Sequence, residues 1–297
     1  MKIDKIVEYC DRNIKKYATK RVCEDCNHCT KCPGNCGECL DQVHYTRKAD
    51  ERQDYNCLYM VQYYVCRYMY AYASEIGDCL NIIESEIMEL PHINMLSIGS
   101  GPSPDLYALW KFKKDKKYSK PISYIGFEHN KYWEDINEKT KEIFSKSNIG
   151  IQYFYEDAIE TFKNQKMAKT NILVLQYVLS HVVYNGREDE IEEFFNNLIE
   201  NVILSMEDRA FIIINDINHY LARDRFELLE EMIEDHGKNI RVHKFYYPYD
   251  GIKDGQRDGT AHESCDLDWD YEIDNEFVDD YNVRAMCRSA QHIIEVF

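Results

Sequence analysis

Along residues 2–18 the apolar side chains Ile3, Ile6, Val7, Cys10, Ile14 and Tyr17 recur at the spacing of one helical face. A second helical stretch covers roughly 51–89. Its first half carries Tyr55, Tyr59, Tyr63, Tyr64, Tyr68, Tyr70 and Tyr72, and its second half repeats Ile76, Leu80, Ile83, Ile87 and Leu90. From about Met95 the period changes. Short apolar runs at 94–99, 122–128, 150–155, 172–177, 210–215, 241–246 and 290–296 read as strands, and most are separated by helical patterns, notably 104–112, 131–145, 188–204 and 221–236. Such alternation predicts an α/β architecture, a doubly wound, seven-stranded and mostly parallel sheet covered on both faces. The stretch 249–285 shows no period and reads as an acidic insertion before the last strand. The change of pattern predicts an N-terminal helical region at 1–90 and a sheet domain at 91–297.

Composition fits a folded chain: 297 residues, 44% hydrophobic and 30% charged, with a formal net charge of −17. That charge opposes broad attraction to nucleic acid or anionic membrane. It is unevenly spread: residues 1–50 hold 10 Lys/Arg against 8 Asp/Glu, whereas 250–281 hold 12 acids against 2 bases. A polyanion such as RNA would therefore meet the N-terminal half first, with Lys111, Lys113, Lys114, Lys116, Lys117 and Lys120 as the clearest basic patch. No apolar run is long enough to span a bilayer, because 58–74 is broken by Gln62 and Arg67. The start of the chain reads as an amphipathic helix and not as a targeting peptide, so the expectation is a cytoplasmic protein without a membrane partner.

The most informative segment runs from Asn94 through Gly99-Ser100-Gly101 to Leu109. An apolar strand enters a glycine turn, and a helix follows with Ser103 as N-cap and Pro104 as first helical residue. Glycines let a ligand approach the backbone closely, and the helix N-terminus beyond offers unpaired N–H groups. The segment resembles the first motif of class I S-adenosylmethionine-dependent methyltransferases, and the resemblance extends over about 94–297. It implies a Rossmann-like fold and S-adenosylmethionine as cofactor. On it, Gly99, Ser100 and Gly101 belong to the donor loop, Glu128 holds the ribose hydroxyls, and Asp157 with Ala158 meets the adenine. Gln176 and Tyr177, at the end of the fourth strand, face the donor methionine or the acceptor. Ser97 and Ser103 depart from the motif, standing where it often has an acid and a third glycine. A Rossmann-like domain for another nucleotide, such as NAD, is the alternative.

Six cysteines, Cys23, Cys26, Cys29, Cys32, Cys36 and Cys39, fall within seventeen residues of one another. A segment so short cannot bury a core, and CxxC spacing lets two thiolates grip one ion, so 23–44 reads as a metal module with His28 and His44 as further ligand candidates. Zinc is expected first. An iron–sulfur cluster is the alternative, because Cys26, Cys29, Cys32 and Cys36 follow a ferredoxin-like spacing. Cys10, Cys57, Cys66 and Cys79 fall on apolar helical faces and read as core residues.

Methyl transfer requires alignment of donor and acceptor and, for some acceptors, removal of a proton. Tyr177 and His181 are the catalytic candidates, the latter as base. No signature after the fourth strand identifies the acceptor, which is left as RNA, protein or small molecule. The competing reading is a non-catalytic binding or assembly protein that keeps the same fold around a structural metal.

Overall fold

The computed structural model describes residues 1–18, 36–45, 55–167, 169–184, 190–268 and 275–297. The chain begins with three helices, α1 (Lys2–Ala18), α2 (Cys36–Tyr45) and the 25-residue α3 (Leu58–Ile82), followed by the short α4 (Glu84–Glu89). Strand–helix alternation then sets in: β1 (Ile93–Ile98), α5 (Pro104–Asp115), β2 (Ile122–Phe127), α6 (Glu134–Phe144), β3 (Gly150–Phe154), α7 (Ala158–Asn164), β4 (Ile172–Gln176), α8 (Leu179–Tyr184) and α9 (Ile191–Asn201). It ends with β5 (Ala210–Ile217), α10 (Tyr220–Asp235), β6 (Ile240–Tyr246), β7 (Thr260–Ala261), α11 (Asn275–Tyr281) and β8 (Ser289–Val296).

The sheet has eight strands in the order β3-β2-β1-β4-β5-β8-β6-β7. The five from β3 to β5 are parallel; β8 runs antiparallel between β5 and β6. Seven strands were expected, and the eighth is a two-residue edge inside the acidic insertion. Its cause is local. A Cβ at Gly259, whose φ is +91°, would lie 2.3 Å from the Lys244 carbonyl oxygen, so only glycine brings the chain this close to β6. His262 N–H then donates to the Tyr246 carbonyl at 2.9 Å, and its ring stacks on Tyr247.

Alternation along the buried strands sends successive residues to opposite faces. Met95, Val174, Ile213 and Ile293 meet one helical layer, in which Ile3, Ile6, Met69, Ile76, Leu80, Leu106 and Phe144 are fully or almost fully buried. Leu96, Leu175, Ile212 and Ile294 meet the other, filled by Phe162, Phe194, Phe195, Phe226 and Leu229. The doubly wound arrangement is therefore present, and α1 and α3 are part of its first layer. Cys10, Cys66 and Cys79 are buried on helices, as their spacing implied, and Cys57 is buried as the extended residue just before α3. Among the described residues no helix is long and apolar enough to cross a membrane.

Candidate active site

At the carboxyl ends of the parallel strands lies an open cleft that encloses about 910 Å³ of empty space, its solvent-open mouth included. Gly99 and Gly101, after β1, form its floor. Both hold positive φ, +63° and +48°, and a Cβ on Gly99 would stand 2.9 Å from Val178 Cγ2, so that turn needs glycine. Ser103 also holds a left-handed φ, +61°, doing as a serine what glycine does more cheaply. Its hydroxyl donates to Tyr153 Oη at 2.9 Å, which helps fix the strained turn. It does not cap α5 through its side chain.

Glu128 follows β2 and is 6% exposed. Its carboxylate accepts from Gly101 N–H at 2.9 Å and from Asn130 N–H at 2.8 Å, which locks the acid to the glycine turn. Asp157, after β3, accepts from Ile159 N–H at 2.8 Å and caps α7. Ala158 and Gln176 complete this side of the lining. The Gln176 amide donates to the Tyr72 carbonyl at 2.9 Å, while its buried Oε1 has no partner among the described residues. Ser100 is placed differently: its side chain is buried toward β2, against Gly126, and does not line the cleft.

Tyr177 follows β4 directly, with φ +56°, a left-handed value held by a bulky residue. Its hydroxyl donates to Glu75 Oε2 at 2.8 Å. Burial pushes this phenol well above its usual range, with the Arg284 guanidinium working against the rise, so Tyr177 is a neutral donor and not a base. His181, on α8, lines the cleft and stacks on Tyr55 with ring centroids 6.0 Å apart. Tyr55, Tyr64 and Trp133 close that wall at mutual centroid distances of 5.2 to 5.7 Å.

Glu75 escaped the sequence reading. It sits on α3 at 0% exposure, yet its carboxylate also accepts from Asn215 Nδ2 at 3.0 Å and Arg288 N–H at 3.1 Å, and pairs with Arg284 at 3.5 Å. One side chain thus ties the ends of β4 and β5 to the loop that enters β8. The available clue was an acid inside an otherwise apolar stripe, which must find partners if buried. Asp105 is a second such group. It lies at 1% exposure on α5, accepts from the Tyr124 hydroxyl at 2.9 Å, and is raised to about 6, chiefly by burial, with hydrogen bonds from Ser97 and Tyr124 opposing.

Of the six clustered cysteines, Cys23, Cys26, Cys29 and Cys32 lie outside the described residues, as does His28. Cys36 opens α2, and Cys39, one turn on, is 7% exposed. His44 places Nε2 2.7 Å from the Tyr55 hydroxyl and Nδ1 3.2 Å from that of Tyr68. Both ring nitrogens are thereby spent on tyrosines, which removes His44 as a metal ligand in this arrangement. Among the described residues no group of three or more His, Cys, Asp or Glu side chains is arranged to hold a metal ion. Much of the lysine patch is engaged within the fold: Lys111 with Asp115 and Asp268, Lys113 with the Ser147 and Asn148 carbonyls, Lys116 with Glu84, and Lys120 with the Met88 and Leu90 carbonyls.

No protein-family model matches the chain, and no curated protein is similar to it. Among solved structures it is similar to a "putative RNA methyltransferase" of Pyrococcus horikoshii, at 12% identity over 74% of this chain and 81% of that one, with a TM-score of 0.39. A "putative methyltransferase" of Escherichia coli matches at 13% identity over 74% of this chain and 83% of that one, TM-score 0.38. The bifunctional kinase-methyltransferase WbdD matches at 11% identity over 75% of this chain and 38% of that one, TM-score 0.39. Likeness at this level leaves function to be read from the cleft itself.

Proposed function

We propose that this chain is an S-adenosylmethionine-dependent methyltransferase. The observation that carries the reading is the convergence on one cleft of Gly99, Gly101, Glu128, Asp157, Ala158 and Gln176, residues scattered over 78 positions of sequence. These groups suit the donor chemically. The Gly99–Gly101 turn admits close approach of the methionine portion, Glu128 brings to it a carboxylate, the group that accepts from ribose hydroxyls, and the buried Gln176 Oε1, which has no partner among the described residues, suits a hydrogen-bond donor. When bound, the donor supplies an activated methyl group. The chain's own part is to bind, orient and exclude water, with His181 placed to take a proton from an acceptor. Tyr177 positions and does not deprotonate, because its hydroxyl is committed to Glu75.

The six-cysteine segment belongs to the same proposal as a structural metal module that holds zinc, with an iron–sulfur cluster as the alternative; the four thiols Cys23–Cys32 would have to complete the site with Cys36 and Cys39. The non-catalytic reading, a binding or assembly protein, has no observation of its own to favour it. Incubating the purified chain with methyl-labelled S-adenosylmethionine and separate pools of total RNA, total protein and small metabolites tests the enzyme. Label should pass into one pool; transfer into none, at any protein concentration tried, would return the chain to the binding-protein class.

A further inference from the structure

The cleft has an uneven chemical lining. Among the described residues that line it there is no lysine and no arginine, while Glu128, Glu156 and Asp157 stand on one side. Much of the remaining lining is aromatic, made by Tyr55, Tyr64, Trp133 and Tyr177 with His181 against Tyr55. Phosphate groups are met by Arg, Lys or backbone N–H arrays in a positive field. Arg284, part-buried, lies against Tyr72 and Tyr177, 5.3 and 5.9 Å from their ring centroids, and is paired with the buried Glu75. Its charge is spent before it reaches the cleft. Ring faces favour the opposite partner, a cation, through the ring quadrupole.

We propose that the aromatic end of the cleft takes a small amine-bearing acceptor, an arylalkylamine, and not a phosphorylated one. The inference rests on the methyltransferase reading and specifies its acceptor. The amine arrives as an ammonium ion against the rings and gives one proton to His181 or to water. Its nitrogen lone pair then forms the N–C bond to the donor's methyl carbon as the S–C bond breaks and its electron pair stays on sulfur. In the transfer step itself the positive charge passes from sulfur to nitrogen, and the methylated ammonium ion forms facing the aromatic wall. The engagement of Lys111, Lys113, Lys116 and Lys120 inside the fold agrees with this, since little of that patch is left for an RNA backbone.

The test uses full-length protein saturated with S-adenosylhomocysteine, titrated calorimetrically with phenethylamine, phenylacetate and a short oligoribonucleotide. Phenethylamine should bind at least about tenfold more tightly than phenylacetate, and the oligoribonucleotide should not compete with it. Tyr64→Leu, which removes one ring, should weaken the amine about tenfold, the scale of one desolvated cation–π contact. Tyr64→Phe, which keeps the ring, should restore affinity to within about twofold. Melting midpoints of both variants show whether they are folded, and the amine-to-carboxylate ratio of the wild type stands even if Tyr64→Leu is not. Preference for phenylacetate or the oligoribonucleotide, binding of no probe, or a folded Tyr64→Leu equal to wild type would overturn the acceptor class. Failure of S-adenosylhomocysteine itself to bind would instead sink the methyltransferase reading and the acceptor class with it.

Discussion

Three aspartates hold protons unusually tightly in this fold. Asp78, Asp105 and Asp216 are each raised to about 6 from an ordinary 3.8, and in each the largest cause is burial. The folded chain therefore binds more protons than the unfolded chain between about pH 4 and 6, and the stability these groups contribute at low pH is lost as pH rises through 6. Each accounts for on the order of 1–3 kcal/mol across that window. Asp105→Asn isolates one of them: a neutral amide should make the unfolding free energy, measured by urea denaturation at pH 5 and pH 7.5, less pH-dependent than in the wild type. An unchanged difference between the two pH values would mean that Asp105 ionises normally. None of this was readable from spacing. Asp105 looks in sequence like an ordinary first-turn acid of α5, and only the packing of Tyr124 and Ser97 around it reveals the burial.

Elements were legible where one period dominated. The seven longer strands fall within about two residues of their expected ends, and α1 matches the stripe of Ile3, Ile6, Val7 and Cys10. The glycine turn and the strand-end residues that follow were legible as well, because strand ends in a parallel sheet gather at one edge whatever the loops do. Two things stayed hidden. β7 is too short for periodicity and depends on the close approach at Gly259. The tyrosines of α3 divide in a way that their spacing does not reveal: Tyr64 lines the cleft, whereas Tyr68 and Tyr72 stack on one another, 5.2 Å apart. At this scale Glu75 joins α3 to the sheet. Glu75→Ala should cost about 3–5 kcal/mol, because it strands the largely buried Arg284. Glu75→Gln, which keeps the shape and one oxygen, should cost less. Denaturant midpoints of the two variants check the order; equal and small losses would show that the network is not held by this carboxylate.

For the whole molecule, helices that precede the glycine turn in sequence share a core with it in space. α1 and α3 pack in the same layer as α5 and α6, and Tyr55 and Tyr64 bring the N-terminal third of the chain into the cleft wall. The cysteine segment lies between α1 and α3 in sequence, with α2 as its last part, so a metal there would brace the cleft by way of the contacts of His44 with Tyr55 and Tyr68. Purified protein should carry zinc, and chelation should lower its melting temperature, since metal binding is coupled to folding. Elemental analysis and melting with and without chelator decide this; brown, iron-containing protein after anaerobic purification would replace zinc by a cluster, and metal-free protein with an unchanged melt would remove the metal altogether.

The central claim is that the cleft floored by Gly99 and Gly101 binds the methyl donor, and isothermal titration of the wild type and of Gly101→Asp with S-adenosylmethionine tests it most directly. Gly101 holds a φ of +48° and its N–H donates to Glu128. An aspartate there would add backbone strain and set a second carboxylate against both Glu128 and the methionine carboxylate. The wild type should bind with saturable, one-site heat, and the variant should lose at least about a hundredfold in affinity, equivalent to about 3 kcal/mol. A wild type without measurable binding, or a folded Gly101→Asp with unchanged affinity, would contradict the assignment of this cleft.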